Sequence, residues 1–173
     1  HQAFNSSYAA LYWPWVYLYD EYNGAYRWVP PSGLVAGSYA YNDYVAEPWY
    51  APAGFIRGRL TTPIKVEKSA NKGSRDFMYS GGNAVNPMVN FAQEGITIWG
   101  QRTLQRRSSA TDRVNVRRLL LVIRKAIAVS SMYVVFEQND YHTWERWVDM
   151  VKPYLDGIKA ARGLYDLAVI MDE

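Results

Sequence analysis

Arg113, Arg117 and Arg124 recur at i, i+4 and i+11, one flank of a helix, with Arg118 and Lys125 beside them. Arg102, Arg106 and Arg107 precede that stretch. Guanidinium forks match carboxylates in geometry, and clustered like charge repels itself unless something acidic faces it. Three readings of the flank follow: a solvated helix surface, an interface with an acidic protein partner, or a contact with nucleic acid. The five residues from Arg113 to Lys125 are the candidate interface. Other chemistry is thinly supplied. His142 and Glu145 lie three apart, a spacing that brings two ligands to one metal, but no second histidine lies nearby. The other histidine is the terminal His1, so a histidine base has essentially one candidate. Ser130 and Ser131 have no base in view. Gly81-Gly82-Asn83 lacks the Gly-Lys-Ser/Thr ending of a phosphate loop. Asp20-Glu21 belongs to a turn. No catalytic, cofactor-binding or metal-binding residue is assigned, and the chain reads as no enzyme.

The elements that must carry these residues centre on Gly95 to Asp140. Ile96-Thr97-Ile98-Trp99 is a β-branched and aromatic run ending at Gly100, which predicts a strand. Val116, Leu119, Leu120, Ile123 and Ile127 form one apolar stripe, predicting a helix over residues 112–129 capped by Asp112. Met132 to Phe136 reads as a second strand, so the unit predicts a parallel crossover. Asp140 then caps a second helix over 141–161, with Trp144, Trp147, Val148, Val151, Leu155 and Ile158 on one face. Pro153 predicts a kink or a split, Gly163 a C′ stop, and Leu164 to Met171 a closing strand.

Upstream, Tyr8 to Asp20 reads as extended, with Pro14 at an edge or bulge, and Tyr26 to Val29 returns after a turn to make a hairpin. Its dense aromatics predict core packing and cross-strand pairing; a base-stacking platform would need interleaved basic residues, and only Arg27 is there. Ser32 is the expected cap of a short helix of small residues. Tyr41 to Gly54 and Lys68 to Arg75 read as loops, Thr61 to Val66 as a weak strand or turn, Arg75 to Tyr79 as a short helix stopped by Gly81-Gly82, and Asn86-Pro87 as a turn. The predicted class is α/β, a mixed sheet flanked by helices, two of them long and amphipathic.

At 173 residues the chain is expected to form a single domain with a real core. A net charge of +3 gives no case for nucleic acid on bulk electrostatics. Without cysteine there are no disulfides, thiolate zinc sites or thiol nucleophiles. No apolar run approaches the roughly 18 residues of a membrane span. The first residue is His rather than Met, which predicts a fragment or processed product.

The sequence resembles the tail sheath proteins of contractile-tailed bacteriophages. Ser6-Ser7-Tyr8-Ala9-Ala10-Leu11-Tyr12 with Pro14-Trp15 is similar to the family's opening strand, and Trp28-Val29-Pro30-Pro31-Ser32-Gly33 through Val35-Ala36-Gly37 to its Pro-Ser-Gly and Ala-Gly segment. Ala51-Pro52-Ala53-Gly54, Asn86-Pro87, Gly95-Ile96 with Trp99-Gly100 and Arg102-Thr103-Leu104, Val114-Asn115-Val116-Arg117-Arg118-Leu119, and Phe136-Glu137-Gln138-Asn139 follow in the family's order. Tyr154-Leu155 and Gly163-Leu164-Tyr165 extend the match. One departure is Ala40-Tyr41-Asn42-Asp43, where the family has Ala-Arg-Thr-Asp.

The resemblance implies the inner, C-terminal-type domain of a sheath subunit, residues 1–173, without the outer protruding domains and terminal arms. It implies stacked hexameric rings around a tail tube, which contract to drive the tube through the host envelope for genome ejection. The implied partners are other sheath subunits through strand exchange by terminal arms, the tail tube protein, and baseplate and terminator proteins. It implies no direct nucleic-acid contact, no membrane insertion and no cofactor. The implied place is the virion tail, and host cytoplasm during assembly. The sheath of a phage-derived contractile bacteriocin or secretion machine is the first alternative; an α/β nucleotide- or nucleic-acid-binding domain is the alternative of another class.

Overall fold

The computed structural model describes residues 4–80 and 83–171. The expectations for His1 and for Gly81-Gly82 lie outside the described residues. The chain condenses as two compact units, one up to Arg117 and one from Arg118 onward.

The first unit holds two three-stranded sheets. Strands β1 (Leu11–Trp13), β5 (Val85–Phe91) and β6 (Gly95–Ile98) form a mixed sheet in the order β1-β5-β6, parallel between β1 and β5 and antiparallel between β5 and β6. Strands β2 (Val16–Asp20), β3 (Ala25–Val29) and β4 (Lys65–Val66) form an antiparallel sheet in the order β3-β2-β4. Pro14 separates β1 from β2, so a single extended run serves both sheets. Val16, Val35, Met88 and Ile98 are buried together, drawing residues from both sheets and from helix α1 (Ser32–Val45), with Tyr12, Val29, Leu34, Tyr39, Leu60 and Val66 packed around them. Burial of each such side chain contributes about 1.5–3 kcal/mol. Helices α2 (Gly54–Arg57) and α3 (Lys72–Tyr79) complete this unit, α3 capped by Asn71, whose side chain accepts from the Ser74 N–H.

Helix α4 (Val114–Ser131) is followed by a 3-10 turn at Met132–Val134 and by α5 (Tyr141–Ala160). In the second unit Leu119, Val151, Leu155 and Ile158 are buried as periodicity predicts, whereas Leu120, placed on the same stripe, is exposed. Asp140 caps α5 as expected, its carboxylate accepting from the Thr143 N–H at 2.9 Å. Trp147 Nε1 donates to Ser131 Oγ at 3.0 Å, and Trp144 Nε1 to Asn139 Oδ1 at 2.7 Å.

The α/β class, the hairpin and the existence of both long helices agree with expectation; several local readings do not, among them Asp112, which ends a 3-10 turn and pairs with Arg102 and Arg113 instead of capping α4. Met132 to Phe136 is no strand. Among the described residues no strand pairs with it, and the backbone continues in tight turns, the Glu137 N–H reaching the Val134 carbonyl at 3.2 Å. Leu164 to Met171 lacks a strand for the same reason, and the predicted parallel crossover is therefore absent. Asn86-Pro87 is not a turn but the middle of β5, where Pro87 needs no N–H because its carbonyl alone is used, by the Trp99 N–H at 2.8 Å. Residues 41–45 extend α1, and residues 72–75 open α3. Pro31, not Ser32, holds the cap position of α1, and Ser32 is its first helical residue. Pro153 lies within an unbroken α5. The stop of α5 is Arg162 at φ 63°, with Gly163 one place further: the Arg162 N–H reaches Lys159 and the Gly163 N–H reaches Ile158 at 2.8 Å, a Schellman closure.

Candidate assembly interface

The five basic residues are put to different uses. Arg113 stands, partly exposed, at the rim of a cluster assembled around the buried Asn86 on β5. Asn86, wholly buried, donates through Nδ2 to the carbonyls of Leu11 (3.1 Å) and Arg102 (2.8 Å), and its Oδ1 accepts from the Arg102 N–H at 2.6 Å. Arg102 donates to the Tyr79 carbonyl at 2.8 Å and pairs with Asp112 at 3.3 Å. Asp112 holds Arg113 at the same distance on its other oxygen, and both guanidinium groups lie over the Tyr79 ring. Asp112 thus works between two arginines. The Thr103 N–H to the Asp112 carbonyl (2.9 Å) and the Val114 N–H to the Gln101 carbonyl (2.8 Å) close the loop between them.

Arg117 is also engaged. It donates to Ser7 Oγ and lies 4.3 Å from the Tyr8 ring centroid, so it clamps the segment leading into β1. The Leu104 N–H to the Ala9 carbonyl (2.8 Å) and the Arg106 N–H to Asn5 Oδ1 (3.0 Å) hold the same segment. Arg118 is half-buried, whereas Arg124 and Lys125 are exposed on α4. Helical spacing could show neither that Arg113 stands in extended backbone ahead of α4 nor that Arg117, in the first turn, is spent on an internal partner.

A surface that the basic pattern did not point to is the edge of the β3-β2-β4 sheet. The Ile64 N–H to the Tyr17 carbonyl (2.8 Å) and the Glu67 N–H to the Trp15 carbonyl (2.9 Å) turn those residues toward β4. Backbone groups alternate sides along a strand, so Val16 and Leu18 face β3, bonded opposite Val29 and Arg27. The N–H and C=O groups of Tyr26 and Trp28 therefore point away from β2. Among the described residues none bonds to them. Cross-strand pairing puts Tyr17 with Trp28 and Tyr19 with Tyr26 on one face, rings 4.9 and 5.0 Å apart, with Lys65 4.6 Å from the Tyr17 centroid. The aromatics do pair across strands as expected, but Tyr19, Tyr26 and Trp28 do so on the outer face and stay exposed. The core face carries Val16 and Val29.

Chemistry in the ordinary enzymatic sense has little to work with. His142 and Glu145 are both exposed on α5, and among the described residues no three His, Cys, Asp or Glu side chains converge as a metal site. His142 lines an open hollow of about 480 Å³ with Phe136, Glu137, Asp140 and Arg146. The Asp140 carboxyl is held below its ordinary value first by the Thr143 N–H, and Asp20 below its own by the Asn23 side-chain amide. Both are turn and cap effects. No described helix is long and apolar enough to cross a membrane.

No family model matches the chain. Among curated proteins it is 38% identical over 169 residues to the tail sheath protein of Vibrio phage KVP40, and 36% identical over 168 residues to that of Enterobacteria phage T4. These matches take in 98% and 97% of the chain but 25% of either relative, so the chain spans about a quarter of their length. Among solved structures, the contracted sheath complex of an extracellular contractile injection system, PVC, superposes with a TM-score of 0.82 at 30% identity, covering 98% of this chain and 44% of that one. The contracted helical sheath of the anti-feeding prophage superposes at 0.77 and 26% identity, covering 90% and 41%.

Proposed function

Since the chain belongs to the tail sheath proteins of contractile phage tails, as one domain of such a subunit, we propose that it is a building block of a contractile sheath. The observation that carries this is 38% identity to a phage sheath protein sustained along 98% of the chain. The complete subunit polymerises as stacked hexameric rings around the tail tube, in the virion tail, and contracts to drive the tube through the host envelope. Its partners are neighbouring sheath subunits, joined by exchange of terminal strands, together with the tube, baseplate and terminator proteins. The physics is a heterologous interface that does not close, and strand addition to an open sheet edge. Energy is stored in the extended packing and released on repacking, with no nucleotide consumed.

The exposed end of the basic flank, Arg124 and Lys125, meets an acidic surface of the tube or of an adjacent subunit. Arg113 and Arg117 serve the same contact indirectly, by fixing the fold. Negative-stain microscopy of the complete parent protein is the direct test: tubes of regular pitch are expected, and their absence under conditions that polymerise phage sheaths would sink the reading. Arg124→Glu with Lys125→Glu should reduce tube formation at unchanged thermal stability, whereas Arg117→Glu should lower stability itself. Normal polymerisation by the double variant would remove the flank from the interface. The similarity to the injection-system sheath supports a second reading, a sheath of a phage-derived machine, which a neighbouring set of capsid genes would exclude.

A further inference from the structure

The turn that closes the β2-β3 hairpin holds Tyr22 out in water at 96% exposure. The turn itself is fixed. Asp20 Oδ1 accepts from the Tyr22 and Asn23 N–H groups at 3.1 and 3.2 Å, its Oδ2 from the Asn23 amide at 2.6 Å, and Gly24 completes the bend at φ +63°. Asp20 is thereby used within the turn. Glu21 beside it is exposed and makes no ion pair among the described residues. A large ring and a free carboxylate thus stand together on a rigid tip, which removes most of the ordering cost that a flexible loop brings to a contact. Elsewhere in the same unit, α1 and α2 border a hollow of about 540 Å³. Gly33 and Gly37 line it from α1, Phe55 and Ile56 from α2, and Arg59 is its only charged lining residue among the described residues. Ile56 is 82% exposed, and Arg59 holds Glu94 at only 3.9 Å. A Cβ added at either glycine would meet nothing within 4 Å, so no packing inside the chain requires them. Glycine inside a helix destabilises it relative to alanine, and here nothing within the chain offsets that.

Resting on the reading of the chain as a sheath domain, which supplies neighbours of identical sequence, we propose that the Glu21-Tyr22 tip of one subunit seats in the α1-α2 hollow of an adjacent copy. Tyr22 lays its ring over Gly33 and Gly37, against Phe55 and Ile56, and Glu21 pairs with Arg59. The charges are complementary: an acidic tip meets a hollow whose one charge is basic. Tyrosine suits the role, because it brings a large apolar face, a polar end and few rotatable bonds to a contact. The hydroxyls of Thr61 and Thr62, which also line the hollow, are there for the phenol. Tip and hollow are different parts of the surface, so the contact is heterologous. Each copy gives a tip to one neighbour and a hollow to the other, and the pattern repeats from copy to copy. No backbone ladder is involved.

Complementary variants isolate the contact. Tyr22→Ala lacks the ring and keeps the hollow, whereas Gly37→Leu fills the hollow and keeps the tip, its Cβ entering open space. The 173-residue chain carrying Tyr22→Ala, isotope-labelled, is titrated with unlabelled Gly37→Leu, and the labels are then exchanged. In the first arm the Gly33, Gly37 and Thr62 amides should shift, and in the second the Tyr22 amide. Neither variant alone should show these shifts as its concentration rises. Glu21→Lys in the Gly37→Leu partner should weaken binding roughly fivefold, and Arg59→Glu in the labelled Tyr22→Ala chain should restore it. A titrant carrying both Tyr22→Ala and Gly37→Leu that shifts the hollow amides equally overturns the proposal, because another segment is then the occupant. So does a complete monomeric subunit carrying Tyr22→Ala that fails to bind Gly37→Leu when the 173-residue chain binds it, since its own further chain then fills the hollow. Absence of the shifts while the complete subunit still forms tubes overturns the contact and leaves the sheath reading standing. The shifts as described, with no tubes from the complete subunit, support the contact and count against the sheath reading alone.

Discussion

Asn86 is a buried side chain with three bonded partners, two of them contributed by residue 102. Asn86→Ala leaves the Arg102 N–H and two carbonyls without partners and should lower unfolding free energy by about 2–4 kcal/mol in urea titrations. Gly100→Ala should also destabilise, because a Cβ there would stand 2.8 Å from Asn86 Oδ1 and 3.1 Å from its Cα. Neither effect was legible in the sequence. An Asn-Pro pair has the composition of a turn, and what makes it a strand is Leu11, 75 positions away, together with a loop 16 positions on. Arginines show the same limit: their flank followed from spacing alone, but Arg113 and Arg117 could be told from Arg124 only by what Tyr79, Asp112 and Ser7 do in space.

Elements whose pairing is local were legible, and those whose pairing is distant were not. The β2-β3 hairpin closes over Asp20 to Gly24, where Gly24 takes φ +63° as the turn requires, and both long helices announce themselves by period. Residues 132–136 have strand composition without a strand to bond to, and composition cannot report that lack. The stop of α5 was placed one residue late because glycine is the expected left-handed residue. Arg162 occupies that conformation instead, so Arg162→Gly should raise stability by about 0.5–1 kcal/mol, read as an increase in Tm. The cap of α5 gives a pH prediction. Asp140 has a depressed pKa when folded, so its contribution is present above the ordinary aspartate value and is lost as pH falls through the lower, folded one. Exchange of the Thr143 amide should accelerate across that acid window, and Asp140→Asn should flatten the profile.

For the molecule as a whole, exposed apolar side chains occur in both units, and several of the most exposed lie in the second. Met132, Tyr133, Val135 and Ile170 are largely exposed, and Phe136 and Tyr165 fully so. Large apolar side chains left this exposed favour association. The isolated chain should therefore self-associate as its concentration rises, and Phe136→Asp with Tyr165→Asp should shift it toward monomer in sedimentation velocity with little loss of stability, both side chains being already in water. In the first unit, the run from Leu11 to Asp20 enters the mixed sheet as β1 and leaves as β2 of the other, with only Pro14 and Trp15 between. Tension applied at the amino-terminal end would load the β1-β5 ladder in shear, all of its bonds sharing the strain, before any of it reached the aromatic hairpin. Such a joint resists being peeled, and passes a pull onward rather than yielding to it.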